Sequence, residues 1–251
     1  VYKANMIIPQ IAENLTGSGT LEIPSKCPVC GQDTRIRQDN DTEVLVCMNP
    51  DCAAKKIKAF SLFVSRSAMN IDGLSEMTLE KLIAAGLIHN FADIYHLDVH
   101  RDVIEDMDGF GKKSCDKLVE AVERSRETTL SRVLCAVGIP GIGISGARIL
   151  CANFDDDIDK IRKADRETLS SVEGIGPVLA ENIAGYFEDE RTSSAFDALL
   201  TELRINREKK QDAPQILAGK TFVITGKVNH FANRDELKAR ILSLGGKAAG
   251  S

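Results

Sequence analysis

Asp108-Gly109-Phe110-Gly111 is one of four copies of a short phrase, and the four together decide how the chain is read. The others are Asp72-Gly73-Leu74-Ser75, Pro140-Gly141-Ile142-Gly143 and Glu173-Gly174-Ile175-Gly176. Their first glycines stand 36, 32 and 33 residues apart. A period of this size marks a repeated supersecondary unit. Apolar residues at helical spacing flank each phrase: Val103, Ile104 and Met107 before the second copy, Cys115, Leu118, Val119 and Val122 after it. Each unit is therefore expected to run helix, tight turn, helix. The two glycines of the turn tolerate backbone conformations that other residues resist and let a foreign surface come close. The turn opens the second helix, whose free amides and positive dipole end form an anion site. Four such sites at a regular period suit a phosphate polymer. The other reading is four ordinary helix caps in an all-α domain.

The phrase resembles the helix-hairpin-helix motif of DNA repair and replication proteins, which holds duplex DNA by its backbone without reading sequence. The resemblance implies DNA contacts at Gly73, Ser75, Gly109, Gly111, Gly141, Gly143, Gly174 and Gly176. In the first copy Ser75 replaces the second glycine; its hydroxyl can cap the helix, but the close approach is weakened. Lys112 and Lys113 follow Gly111 directly, and Arg148 follows Gly143 by about one turn. The fourth copy has Pro177 at a favoured first helical position but no adjacent cation. The second and third hairpins are thus expected to be the main grips.

The chain has 251 residues, 43% apolar and 27% charged, with a net charge of −5. That size allows one large or two to three small domains. No apolar run approaches the ~20 residues of a membrane span. The first residue is Val1, and the chain reads as a piece of a longer protein. Charge is uneven: residues 1–60 balance, residues 61–205 carry 16 basic and 26 acidic groups, and residues 206–251 carry nine basic and four acidic. An acidic repeat region must hold DNA through focused contacts, with its acidic faces turned away. Modest affinity is expected of the fragment alone.

Seven cysteines do not suggest a secreted disulfide framework. Four of them form Cys27-Pro28-Val29-Cys30 and Cys47-Met48-Asn49-Pro50-Asp51-Cys52. Two pairs with short internal spacing bring four thiolates to one tetrahedral centre, leaving no open position, as in structural zinc sites. Disulfides and an iron–sulfur cluster are the other assemblies that four cysteines allow. Metal ligation would contribute on the order of 10 kcal/mol to folding, which so small a module needs. A hairpin of Thr34–Arg37 with Glu43–Val46, turning at Asp39-Asn40-Asp41, is expected between the pairs. Cys115, Cys135 and Cys151 fall on apolar helix faces and read as core thiols.

Met6 to Pro9 with Ile11 reads as a short strand, Thr16 to Gly19 as a turn, and Leu21 to Ile23 as a resumed alternation. A helix is expected over 55–70, its buried stripe made of Phe60, Phe63, Val64 and Met69. Leu79, Leu82 and Ile83 follow, Gly86 closes that helix, and Phe91, Ile94 and Tyr95 begin the next unit. Asp155-Asp156-Asp157 reads as a solvated acidic loop rather than a metal site. Residues 206–215 read as a linker. After it, Gly219 to Gly226 is a strand ending in Thr225-Gly226, whose hydroxyl and amide could meet a phosphate. A helix runs from Arg234 to Leu244, and Gly245-Gly246-Lys247 closes it, with a second strand expected only where the chain stops.

In this order the parts look like one family, the NAD-dependent DNA ligases of bacteria. The resemblance implies the end of an OB-fold domain at 1–23, a four-cysteine zinc finger at 24–59, four helix-hairpin-helix motifs at 60–205, a linker at 206–215 and a truncated BRCT domain at 216–251. Met69-Asn70-Ile71-Asp72-Gly73-Leu74, Leu134 to Pro140 and Gly219 to Gly226 carry it beside the cysteines. The expected architecture is mainly α, with a small β-rich zinc module and a truncated α/β segment whose fold, from about residue 213, would be incomplete. The resemblance also implies a parent enzyme that seals nicks in replication and repair: NAD adenylates a lysine, AMP passes to the 5′-phosphate, and the 3′-hydroxyl attacks. NAD and magnesium would serve the parent only. The catalytic Lys-x-Asp-Gly motif is absent, since positions 70 and 106, two before Asp72 and Asp108, are Asn and Asp. No catalytic residue is expected here, and the fragment alone should be inactive. Its expected ion is one structural zinc. Its expected partner is nicked double-stranded DNA, bound as a monomer in the bacterial cytoplasm on the nucleoid, with no membrane. The alternatives are a non-catalytic zinc and helix-hairpin-helix scaffold of another repair protein, and a protein-interaction adaptor.

Overall fold

The computed structural model describes residues 2–4, 8–10, 13, 15, 17, 22–39, 42–207, 216–226, 228, 230–231 and 234–249. In chain order the elements are β1 (Tyr2–Ala4), β2 (Ile8–Gln10), β3 (Thr34–Asp39), β4 (Thr42–Cys47), α1 (Ala53–Val64), α2 (Glu76–Ala84), a 3-10 helix (Ala92–His100) and α3 (Arg101–Glu105). Then come α4 (Lys112–Ser125), β5 (Glu127–Thr129), α5 (Leu130–Ala136), α6 (Ile144–Asn153), α7 (Ile158–Lys163), α8 (Arg166–Ser170), α9 (Pro177–Glu188) and α10 (Glu190–Thr201). The last are β6 (Arg204–Asn206), β7 (Thr221–Val223), α11 (Arg234–Ser243) and β8 (Lys247–Ala249). The fold is mainly helical with four two-stranded sheets among the described residues. Among the described residues no helix is long and apolar enough to cross a membrane. The expectations at Met6, Ile7, Ile11, Thr16, 18–21, the Asn40-Asp41 turn and 208–215 lie outside the described residues.

The four hairpins follow the four phrases: α1 to α2, α3 to α4, α5 to α6 and α8 to α9. Their turns have one design. Phe110 donates its amide to Met107 O, Ile142 to Ile139 O and Ile175 to Val172 O, each at 2.9 Å. In such a four-residue turn the third position needs a positive φ, which glycine supplies without strain. Gly73, Gly109, Gly141 and Gly174 adopt φ of +94°, +84°, +79° and +93°. Pro140 fits the second position of its turn, where its fixed φ is favourable. The central residues Leu74, Ile142 and Ile175 are buried and Phe110 is half-buried, so each turn is pinned to the core by its apolar residue.

The hairpins pack in two pairs. Gly73 lies against Leu118 of α4, and Lys81 of α2 donates to Asp108 O at 2.5 Å, which joins the first hairpin to the second. Gly174 lies against Ile149 of α6, and Asn182 of α9 donates to Pro140 O at 3.0 Å, which joins the third to the fourth. Lys81 and Asn182 both stand eight residues after the first glycine of their hairpins, so the two pairs repeat one arrangement. A continuous core of buried residues runs from Phe60 to Leu203 and includes Cys115, Cys135 and Cys151, as the helical periodicity implied.

Arg126 closes this helical block. It donates to Tyr95 O at 2.6 Å and pairs with Glu202 at 2.8 Å, and its guanidinium stacks over the Tyr95 ring at 5.0 Å. Parallel pairing of β5 with β6 continues the same junction. Burial pushes the Tyr95 hydroxyl up to about 12, so it stays a neutral hydrogen-bonding group beside Ser125.

Three local expectations change. The helix expected over 55–70 ends at Val64, because Ser65 turns extended and its carbonyl takes the amides of Ala68 and Asn70. Met69 is buried from that turn rather than from the helix, and Asn70 takes a φ of +53° there. Val103 is exposed, since the short α3 buries only Ile104. The second strand of the last segment is already present: β8 pairs in parallel with β7 around α11. Gly245, at φ +83°, reverses the chain, and Gly246 packs too close to Ile241 and Phe222 to admit a Cβ, so the strand can begin at Lys247.

Candidate nucleic-acid interface and metal centre

Two sites arise from these elements. At the first, Gly31 (φ +70°) lets its amide reach Cys27 O at 2.9 Å while Cys27 donates to Gln32 O at 2.7 Å. This tight turn aims Cys27 and Cys30 to one side. The β3–β4 register sets Cys47 opposite Thr34, and Cys52 caps α1. All four Sγ atoms lie within 4.8 Å of one another, with Cys30 to Cys47 at 3.5 Å and Cys27 to Cys52 at 3.9 Å. Sulfur atoms bound to one tetrahedral ion at about 2.3 Å stand roughly 3.8 Å apart. A disulfide would need about 2.05 Å, and all four cysteines are free. Backbone amides favour the thiolate: that of Gln32 holds Cys30 down to about 6, and those of Cys30 and Val29 lower Cys27. Burial pushes Cys47 up to about 11. A cation at the centre removes that conflict, because it binds all four as thiolates. The donors fit a four-coordinate soft ion with no position left for a substrate. The Asp155 to Asp157 run makes no comparable cluster: Asp157 caps α7 and Asp155 pairs with Lys160 at 2.9 Å.

The second site is the row of hairpin tips. Gly111, Gly143 and Gly176 are the N-caps of α4, α6 and α9, and Ser75 is that of α2. Their φ values of −170°, −90°, −78° and −66° are open to any residue. This corrects the expectation that both glycines serve backbone freedom; only the first does. A Cβ added at Gly111, Gly143 or Gly176 would meet nothing within 4 Å. Among the described residues nothing requires glycine there, whereas a surface approaching from outside would. At Gly141, by contrast, an added Cβ would stand 2.5 Å from Leu179 Cδ2.

The tips differ in what they present. At the second hairpin Gly111 donates its amide to Ser114 Oγ at 2.9 Å and accepts from that hydroxyl at its carbonyl at 2.8 Å, and the amides of Lys112 and Lys113 have no acceptor within the helix. A hollow of about 500 Å³ there is lined by Gly111, Lys112, Lys113, Ser114 and Lys117. These three lysines have no acidic partner among the described residues. Lys117 was missed in the sequence, although it follows Lys113 by four residues and so shares its helix face. At the third tip Ser145 and Arg148 are exposed. At the first, Ser75 Oγ accepts the Thr78 amide, which uses one outward donor, and Glu76 pairs with Lys58. At the fourth, Pro177 has no amide hydrogen, and Glu181 and Glu188 grip Arg166. In the last segment Thr225 and Gly226 are exposed, and Arg234 donates to Gly226 O at 2.8 Å.

Comparison with known proteins agrees with this geometry. Residues 65–124, which hold the first pair, match a family described as SAM-like helix-hairpin-helix tandem, and residues 132–195, which hold the second, match the helix-hairpin-helix motif. Residues 65–124 and 132–195 are thus helix-hairpin-helix units in tandem. Over its whole length the chain is also homologous to bacterial proteins named DNA ligase: 49% identical to that of Lachnoclostridium phytofermentans, 46% to that of Ruminiclostridium cellulolyticum and 36% to that of Bacillus subtilis. It spans 38% of the length of each of these relatives.

Proposed function

We propose that the chain is the DNA-gripping C-terminal portion of an NAD-dependent DNA ligase that seals nicks in duplex DNA. The observation that carries this is the pairing of glycines with no internal purpose, at Gly111, Gly143 and Gly176, with outward amides and the Lys112, Lys113 and Lys117 cluster. Amides and a few cations hold phosphates without reading bases, as a ligase acting at any sequence needs. Similarity along the whole chain to DNA ligases favours this over a scaffold from another repair protein.

In this reading Gly73, Ser75, Gly109, Gly111, Lys112, Lys113, Gly141, Gly143, Arg148, Gly174 and Gly176 lie on or frame the DNA face, the second and third hairpins holding most firmly. Residues 1–23 end an OB-fold, 24–59 form the finger, 60–205 the hairpin domain, 206–215 a linker and 216–251 the start of a BRCT domain with Thr225 and Gly226 as a phosphate contact. Cys27, Cys30, Cys47 and Cys52 hold one structural zinc that fixes the angle between neighbouring modules. Adenylation with NAD and magnesium belongs to the part of the parent that the chain does not span, so the chain alone seals nothing. It acts as a monomer on bacterial nucleoid DNA.

The test is binding to nicked duplex, intact duplex and single strand across a salt series, beside a Gly111→Thr, Gly143→Thr variant. Threonine caps a helix about as well as glycine, so stability should hold while approach is blocked. Duplex binding should weaken at least about tenfold, and the log–log salt slope should fall by roughly 0.9 for each phosphate that the variant no longer holds. Unchanged binding by the variant would refute the grip.

A further inference from the structure

Counting four residues on from the first glycine gives Met77, Lys113, Ser145 and Val178 in the four hairpins. Each is the second residue of its helix, at the tip, and all are exposed. Two are large and apolar: Met77 is 67% exposed and Val178 is 73% exposed. They fall one in each hairpin pair. Met77 lies on the helix whose Lys81 holds the second hairpin's turn, and Val178 precedes Leu179, which lies against Gly141 of the third. Each pair therefore sets an apolar tip beside a polar one.

We propose that Met77 and Val178 pack against the deoxyribose walls of the groove while the neighbouring tips hold phosphate. This rests on the duplex-binding reading above and extends it to the first and fourth hairpins. A DNA strand presents phosphates and apolar sugar edges in alternation, so a pair of adjacent tips following one strand meets both. Free donors sort them: at the first tip Ser75 Oγ already takes the Thr78 amide, and at the fourth Pro177 has no amide hydrogen, so each offers phosphate one donor fewer, whereas Lys112, Lys113 and Lys117 surround the open second tip.

The experiment measures binding of a nicked duplex by the full chain across a salt series, with Met77→Ala, Val178→Ala beside Lys112→Ala, Lys113→Ala. The apolar variant should bind about fivefold more weakly, with the salt slope unchanged because no counterion is released by a sugar contact. The lysine variant should show a shallower slope. Thermal unfolding of the apolar variant should match the parent, since neither side chain is buried. If the lysine variant weakens and the apolar one binds as the parent does, the apolar role of the tips is refuted and the phosphate grip stands. If the parent chain binds no duplex, both readings fall. A lower sedimentation coefficient of the DNA-free apolar variant would mean that the tips pack on a second copy, which also overturns the proposal.

Discussion

The cysteine module and the helical block occupy adjacent stretches, yet different forces hold them. Between Pro24 and Ala59 only Cys27 and Cys52 are buried among the described residues, and Ile36, Val44 and Leu45 of the hairpin are exposed. From Phe60 to Leu203 apolar side chains form one core, with Phe63 stacked on Phe91 at 4.5 Å and Phe187 set edge-on to Phe196 at 5.4 Å. A module of that size cannot bury enough apolar surface to offset its own ordering entropy. In the proposed reading its order comes from the four sulfurs gathered on one ion. The block needs no such device, and its weak points are backbone positions instead.

The largest expected break in that comparison is chelation. With zinc held as proposed, a chelator, or replacing Cys47 with Ser, should abolish the ordered β3–β4 hairpin while the main thermal transition of the block stays in place. Amide exchange, resolved by segment, checks this, and simultaneous loss of protection in both regions would show that the module supports the block. Next comes Gly141→Ala, which meets both a φ of +79° and Leu179 Cδ2 at 2.5 Å. A destabilisation of about 3 kcal/mol is expected from left-handed strain plus overpacking, measured by urea unfolding. Gly109→Ala, at φ +84° with open space, should cost about 1–2 kcal/mol through strain alone. Equal effects at the two positions would mean that the packing of the third hairpin on the fourth contributes nothing.

The smallest effect concerns pH at the closure of the block. The hydrogen bond from Arg126 lowers the Glu202 carboxyl below its usual range, with His96 adding to it. A depressed carboxyl stabilises the fold above its unfolded value and loses that contribution as pH falls through its folded one. Arg126→Ala should remove about 2 kcal/mol at neutral pH and flatten the acid limb of the stability profile below about pH 4.5. A variant whose acid limb keeps the parent's slope would exclude Glu202 as its source.

Much of the molecule was legible in residue order. Four phrases at a regular period predicted four hairpins, and two short cysteine pairs predicted one cluster. The division of labour between the two positions was less so: the first carries the positive φ, while the second is an ordinary cap, and at Gly111, Gly143 and Gly176 it has open space around it. Hairpin pairing was not legible, because it depends on Gly73 meeting Leu118 and Asn182 meeting Pro140 O across tens of residues. Lys117 was legible but overlooked, since four residues on from Lys113 in an expected helix it shares that face. The early end of α1 reflects the Ser65 carbonyl drawing two amides out of helical register, which local apolar spacing does not record.

The junction at Arg126 also has a consequence for synthesis. Its partners come from both directions, Tyr95 behind it and Glu202 and Arg204 ahead. A chain emerging from the ribosome can complete its first hairpin pair early, yet that pair stays unlatched until about eighty more residues have appeared. The last strand of the block thus acts as a timing element. Until β6 arrives, the guanidinium holds only Tyr95 and Glu123 and the β5 edge has no partner, so an intermediate caught there offers an open strand to any neighbour.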